Sequence, residues 1–131
     1  MRYLLDTHII LWALVDDDKI EPFRGLIADP RNEIYFSSAS IWEIAIKHEK
    51  GSLDFDLKEV EDACVMQGYM PMHMTAEHAI GTSDLRYPEG ETPHKDPFDR
   101  MLIAQAKSEG LMLLTVDEKI LKYTEPCIYR L

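Results

Sequence analysis

The sequence predicts an α/β fold in which a central, mostly parallel sheet of about four or five strands carries helices on both faces. Three observations lead there. Strand-like and helix-like segments alternate from end to end, and the strand-like ones are short, nearly continuous apolar runs, as strands covered on both faces must be. The length of 131 residues, against a prior of roughly 150 per domain, leaves room for one core and makes residues 1–131 one domain. With 46% hydrophobic, 9% aromatic and 29% charged residues, the chain has the apolar surface for that core and is unlike a disordered segment.

Arg2 to Asp6 reads as a short buried strand ending in an acid, and Thr7 to Val15 continues as an apolar helix closed by Asp16-Asp17-Asp18. Ile20 to Ile27 is a second helix with Pro22 in its first turn, and Asp29-Pro30-Arg31-Asn32 turns the chain into a strand over Glu33 to Ser37. A helix over Ser38 to Lys50 stops at Gly51. A polar loop follows, then an amphipathic helix over Leu57 to Gln67 with Leu57, Val60 and Cys64 on one face. Tyr69 to Met74 reads as a short strand in which Pro71 demands an edge or a strand start, and Ala76 to Gly81 as one or two helical turns. Tyr87 to Lys95 is a long loop rich in proline and glycine. It leads into a helix from Pro97 to Glu109, opened by the proline and closed by Gly110. Leu111 to Val116 is the most strand-like segment of all; a short helix over Glu118 to Tyr123 and a last strand over Cys127 to Arg130 complete the order.

Twenty-four Asp and Glu against fourteen Lys and Arg give a formal charge of −10, the opposite of an electrostatically driven nucleic-acid binder. Any nucleic acid must be held some other way. Cys64 and Cys127 are far apart and lack metal-site spacing, which argues against a disulfide scaffold or a cysteine zinc site and suits a reduced, cytoplasmic setting. The apolar run from Ile9 to Val15 is much shorter than the ~20 residues a membrane span needs, and Asp6 interrupts the stretch where an export signal would be unbroken. No membrane association is expected.

Four acids stand in apolar surroundings: Asp6, Glu43, Asp99 and Asp117. Asp6 and Asp117 sit where strands emerge, while Glu43 and Asp99 lie in the early turns of helices that start on the same sheet edge, the edge where function gathers in such folds. Each also has an ordinary reading. Asp99 fits a capped helix start with Asp96 as N-cap and Pro97 first; Ser40-Ile41-Trp42-Glu43 has the capping-box pattern; Asp117 suits the cap of the helix after it. Asp6 resists such a reading, because a carboxylate ending an apolar strand needs a positive charge or a set of donors to meet it. Gathered together, these acids would repel by about 4 kcal/mol per close pair at 4 Å and an effective dielectric of 20, unless protonated or neutralised. A divalent ion neutralises them, and an all-carboxylate set suits Mg²⁺ or Mn²⁺ rather than zinc, which in turn suits phosphodiester chemistry.

These residues form a pattern. Leu4-Leu5-Asp6-Thr7-His8, Ser38-Ala39-Ser40-Ile41-Trp42-Glu43-Ile44, the run His94-Lys95-Asp96-Pro97-Phe98-Asp99-Arg100-Met101-Leu102-Ile103-Ala104-Gln105-Ala106, and Leu113-Leu114-Thr115-Val116-Asp117 resemble, in order, the motifs of PIN-domain ribonucleases, most closely VapC-like toxins of bacterial toxin–antitoxin pairs. The resemblance spans essentially the whole chain. It implies a Mg²⁺- or Mn²⁺-dependent endoribonuclease with Asp6, Glu43 and Asp99 as an acidic triad and Asp117 as a fourth, more variable acid. It also implies that Thr115 is the hydroxyl residue near the metal, that Asp96 and Thr7 stand beside the ligands rather than among them, and that a small antitoxin inhibits by placing a basic segment at the acids. Homodimers are common in that family.

Other residues carry less. His8 and His94 neighbour motif acids, where a loop or supporting hydrogen bond is the commoner use of histidine and acid–base chemistry the rarer. Lys47, Lys95 and Arg100 are candidate RNA contacts from the same edge, although exposed basic residues without special role are common. Trp12 and Trp42 read as core, and Met66, Met70, Met72 and Met74 as gap-fillers or an adaptable surface. Three alternatives compete. A haloacid-dehalogenase-type phosphatase would place an Asp two residues after its nucleophile, where this chain has His8. A phosphoacceptor receiver domain would show adjacent acids after the first strand and a late lysine. A catalytically silent module of the same fold would have no need of all four acids.

Overall fold

The first strand owes its central place to its composition: Tyr3, Leu4 and Leu5 of β1 (Arg2–Leu5) are all buried, since a strand with no polar side must be covered on both. The computed structural model describes residues 1–51 and 56–131. In it β1 lies between β2 (Glu33–Ser37) and β4 (Met112–Leu114), with β3 (Met70–Met72) outside β2, giving the order β3-β2-β1-β4 with every pairing parallel. Leu4 pairs with Tyr35 on one side and Leu113 on the other, and Leu5 with Leu114. Pro71, which has no N–H to give, sits on the edge strand as its chemistry requires.

Alternation along the strands feeds two cores. Tyr3, Leu5, Ile34, Phe36 and Leu114 point to one face, where α1 (Thr7–Leu14), α2 (Glu21–Ala28) and α4 (Leu57–Met66) bring Ile9, Ile10, Phe23 and Cys64. Leu4 and Leu113 point to the other, against Leu102, Ile103 and Ala106 of α6 (Pro97–Glu109) and Ile120 of α7 (Glu118–Leu121). A smaller cluster of Leu11, Ile44 and Val60 fastens α3 (Ser38–Glu49) to α1 and α4. The short α5 (Ala76–Gly81) is fixed by a capping box between Thr75 and His78. Helix α6 starts and stops as its sequence dictates: Asp96 accepts from the N–H of Asp99, Pro97 fills the first position, and Gly110 takes the left-handed conformation (φ 69°) that ends it.

Among the described residues the sheet has four strands. The expected last strand over Cys127 to Arg130 makes a single parallel bridge, Leu113 to Ile128. It contributes Ile128 to one core and Tyr129 to the other without extending the ladder. The helix expected over Ile20 to Ile27 is a 3₁₀ turn, Asp18–Ile20, running into α2. The polar loop expected before α4 falls at residues 52–55, outside the described residues. Trp42, expected in the core, is 56% exposed, because α3 buries its Ile44 and Ala39 side and turns Trp42 outward. The two cysteines form no disulfide, and no helix among the described residues is long and apolar enough to cross a membrane.

Candidate active site

In an open parallel sheet the crevice forms where neighbouring strands connect in opposite directions. Here that point lies between β1, whose chain runs on to β2, and β4, which arrives from the other side. Asp6 leaves β1 at this place, its own N–H bonded to the carbonyl of Leu114 at 3.0 Å. Its carboxylate caps α1 through the N–H of Thr7 at 2.7 Å and accepts the hydroxyl hydrogen of Thr115 at 2.8 Å. Burial pushes the Asp6 carboxyl up to about 6, against the opposing effect of those two donors. The set of donors that an acid at the end of an apolar strand demands is therefore present.

Thr115 serves both sides of the crevice. While its hydroxyl donates to Asp6, the same oxygen accepts the N–H of Asp117 at 3.0 Å, and Asp117 caps α7 through the N–H of Lys119 at 2.8 Å. Glu43 comes from α3, largely buried, with Lys47 Nζ one turn on at 3.3 Å. The capping-box reading of Ser40 and Glu43 does not hold: Ser37 caps α3 by accepting from the N–H of Ala39, and Ser40 lies buried within the helix. Glu43 is thereby left to the pocket. Asp99 comes from the first turn of α6 beneath Asp96. The two arrive on one side because helices α3 and α6 both begin at the same edge of the sheet.

Asp6, Glu43, Asp96, Asp99 and Asp117 line one pocket of about 150 Å³, together with His8, Lys47 and Lys119. Crowding has an electrostatic consequence. Burial, then the charges of Asp96, Asp6, Asp117 and Glu43, push the Asp99 carboxyl up to about 8. Carboxylates crowded in this way gain from a cation. Among the described residues, however, no three His, Cys, Asp or Glu side chains are gathered tightly enough to hold a metal ion as they stand.

Of the three basic residues singled out in the sequence, Lys47 reaches the acids and the other two do not. Arg100 lies a third of a turn round α6 from Asp99, where its guanidinium donates to the Tyr123 hydroxyl at 2.9 Å and to the carbonyl of Thr82. Lys95 lines the same separate hollow as Arg100. His94 stands at the back of Asp99, Nε2 to carboxylate oxygen 3.8 Å, its ring edge-on to Tyr123 and its carbonyl accepting the Tyr123 hydroxyl at 2.6 Å.

Sequence reasoning missed Lys119, whose signal was its place two residues after Asp117, and a buried polar seam under the acids. In that seam Thr7 donates its hydroxyl hydrogen to Ser40 at 2.9 Å, and Ser37 donates to the Gln105 carbonyl oxygen at 2.6 Å. The helices that carry Asp6, Glu43 and Asp99 are thus keyed to one another.

Comparison with known proteins agrees with the fold. The model of the PIN domain matches residues 3–126. No curated protein matches at a significant level. Among solved structures, the crystal structure of VapBC2 from Rickettsia felis bound to a DNA fragment from their promoter matches with a TM-score of 0.65 at 20% identity, covering 98% of this chain and 96% of that one. The structure of VapBC-1 from nontypeable Haemophilus influenzae matches with a TM-score of 0.60 at 19% identity, covering 92% and 90%. At that identity the likeness is one of fold. The strand order also differs from the 2-1-3-4-5 order of receiver domains, which removes that alternative.

Proposed function

The chain belongs to the PIN domain family, and from that premise we propose that it is a metal-dependent endoribonuclease, the toxin of a toxin–antitoxin pair. The observation that carries this reading is the convergence of Asp6, Glu43, Asp99 and Asp117, four acids from four separate elements, on one pocket. Their donor set is all oxygen, which fits Mg²⁺ or Mn²⁺. Holding an ion would draw these side chains closer together than they stand. Such an ion supplies an activated water and neutralises charge at a phosphodiester.

The chain's own residues prepare the site. Thr115 and the N–H of Thr7 fix the Asp6 carboxylate in one orientation. Burial, and after it the neighbouring acids, favours the protonated form of Asp99, so a cation held there would displace a proton. Lys47 keeps Glu43 within the pocket and offers a positive group toward phosphate. The acidic pocket and the net charge of −10 suit an antitoxin that inhibits with a basic segment, and the VapBC neighbours support such a partner. A cytoplasmic setting and a homodimer belong to the same reading.

The test is cleavage of single-stranded RNA by the purified chain in Mg²⁺ or Mn²⁺, in EDTA, and by Asp99→Asn. Metal-dependent cleavage lost in Asp99→Asn supports the reading. No cleavage by the intact chain in either metal leaves a silent module of the same fold as the answer.

A further inference from the structure

An RNA strand approaching this pocket meets five carboxylates against two lysines, Lys47 and Lys119, on a protein of net charge −10, so attraction for the phosphate backbone supplies only a small part of its binding. The remaining source is the bases. A neutral aromatic surface lies on the helices that carry two of the acids: Trp42, the residue before Glu43 on α3, is 56% exposed. It is braced against Phe98, the residue before Asp99 on α6, with ring centroids 5.1 Å apart and planes at 76°. The bracing matters because an indole already held in place loses little freedom when a base lies on it. Trp42 also lines a hollow of about 280 Å³ walled by Phe36, Ile41 and Pro71, with Ser38, Glu61 and His73 as its polar members. A largely apolar hollow with a few groups able to read an edge is the form that binds a flat heterocycle. Aromatic stacking is the sequence-tolerant way of holding unpaired RNA.

We propose that Trp42 and the hollow beside it form a stacking subsite for an unpaired nucleobase of the RNA, one that places the neighbouring phosphodiester at the acids. The inference rests on the ribonuclease reading for its ligand and on Trp42, Phe98 and the hollow for its location. It selects single-stranded over double-stranded RNA, because a paired base cannot turn onto the indole.

The experiment measures binding of fluorescein-labelled single-stranded oligoadenylate and oligouridylate to the full chain in EDTA, by anisotropy, for wild type, Trp42→Phe, Trp42→Leu and Trp42→Ala. Trp42→Leu keeps apolar bulk without an aromatic face, so it separates stacking from packing. Wild type and Trp42→Phe should bind alike, and the Leu and Ala variants about tenfold more weakly. In Mn²⁺ the same loss should fall on KM with kcat little changed. The slope of log affinity against log salt should be shallower than about −1.5, that is, fewer than about two phosphates engaged.

Equal affinity in all four proteins overturns the subsite, and so does a wild type that binds neither oligonucleotide. A Trp42→Leu variant that turns a dimer into a monomer in sedimentation while binding RNA unchanged assigns this face to contact between copies, and also overturns it. Failure of the parent reading looks different: RNA bound through Trp42 and never cleaved in metal breaks the nuclease assignment and leaves the subsite standing.

Discussion

Thr115 donates its hydroxyl hydrogen to the carboxylate of Asp6 at 2.8 Å, joining residues 109 positions apart in the chain. Both are buried, and the same hydroxyl oxygen receives the N–H of Asp117. One side chain therefore sets the direction of two acids. Thr115→Val, of similar shape, leaves the Asp6 carboxylate short of a donor and the Asp117 N–H short of an acceptor. It should cost about 1–3 kcal/mol in urea unfolding, while Thr115→Ser recovers most of that. Equal stability of the Val and Ser variants would remove this bond from the account.

The acids make the metal-free fold sensitive to alkali. Asp99 at about 8 and Asp6 at about 6 lie above the ordinary carboxylate value of 3.8, so the folded state binds protons that the unfolded chain has released. Stability from these groups is complete below about pH 4 and is lost as pH rises through 6 and 8. Melting in EDTA should show this fall, and Asp99→Asn should flatten it. Parallel profiles for wild type and Asp99→Asn would contradict it.

Cations should act in the opposite direction. Mg²⁺ or Mn²⁺ bound by the folded chain alone raises stability by RT ln(1 + [L]/Kd), about 2.7 kcal/mol at a hundredfold excess over Kd. The rise should be larger at pH 8 than at pH 5, where protons compete for the same oxygens. Asp6→Asn should stabilise the metal-free protein by relieving repulsion, yet abolish both the metal-induced shift and RNA cleavage. Cleavage surviving in Asp6→Asn would take that residue out of the chemistry.

The seam beneath the acids yields a prediction of its own. Gln105→Leu leaves the Ser37 hydroxyl without its acceptor, but it also removes the Gln105 amide nitrogen, which is buried without a partner. The loss in stability should stay near the lower end of the range of about 1–3 kcal/mol for an unsatisfied group. Affinity for Mn²⁺ by calorimetry should nonetheless fall, because α3 and α6 lose their key. An unchanged Mn²⁺ affinity would make the seam a matter of packing alone.

How much of this was legible in the sequence follows from which forces are local. Asp6 stood out because a carboxylate after Tyr3, Leu4 and Leu5 is a desolvation problem visible in any chain, and α6 because Pro97 and Gly110 mark its ends. Ser40 and Glu43 carried a true local pattern, but Ser37, three residues earlier, holds the cap, and only the packing of α1 on α3 shows that Ser40 answers Thr7 instead. Trp42 was misplaced for a related reason: helical spacing shows which residues share a face and not which face the rest of the molecule covers. Arg100 sits beside Asp99 in sequence and points away from the acids in space, because successive helix residues diverge by ~100°.

The position of β4 has a further implication. It docks against β1, more than a hundred residues earlier in the sequence, and brings Thr115 and Asp117 with it. A copy interrupted anywhere before that docking holds Asp6, Glu43 and Asp99 without the hydroxyl that aims the first of them. The orientation of Asp6 is thus completed only when residues 112–117 have joined the sheet.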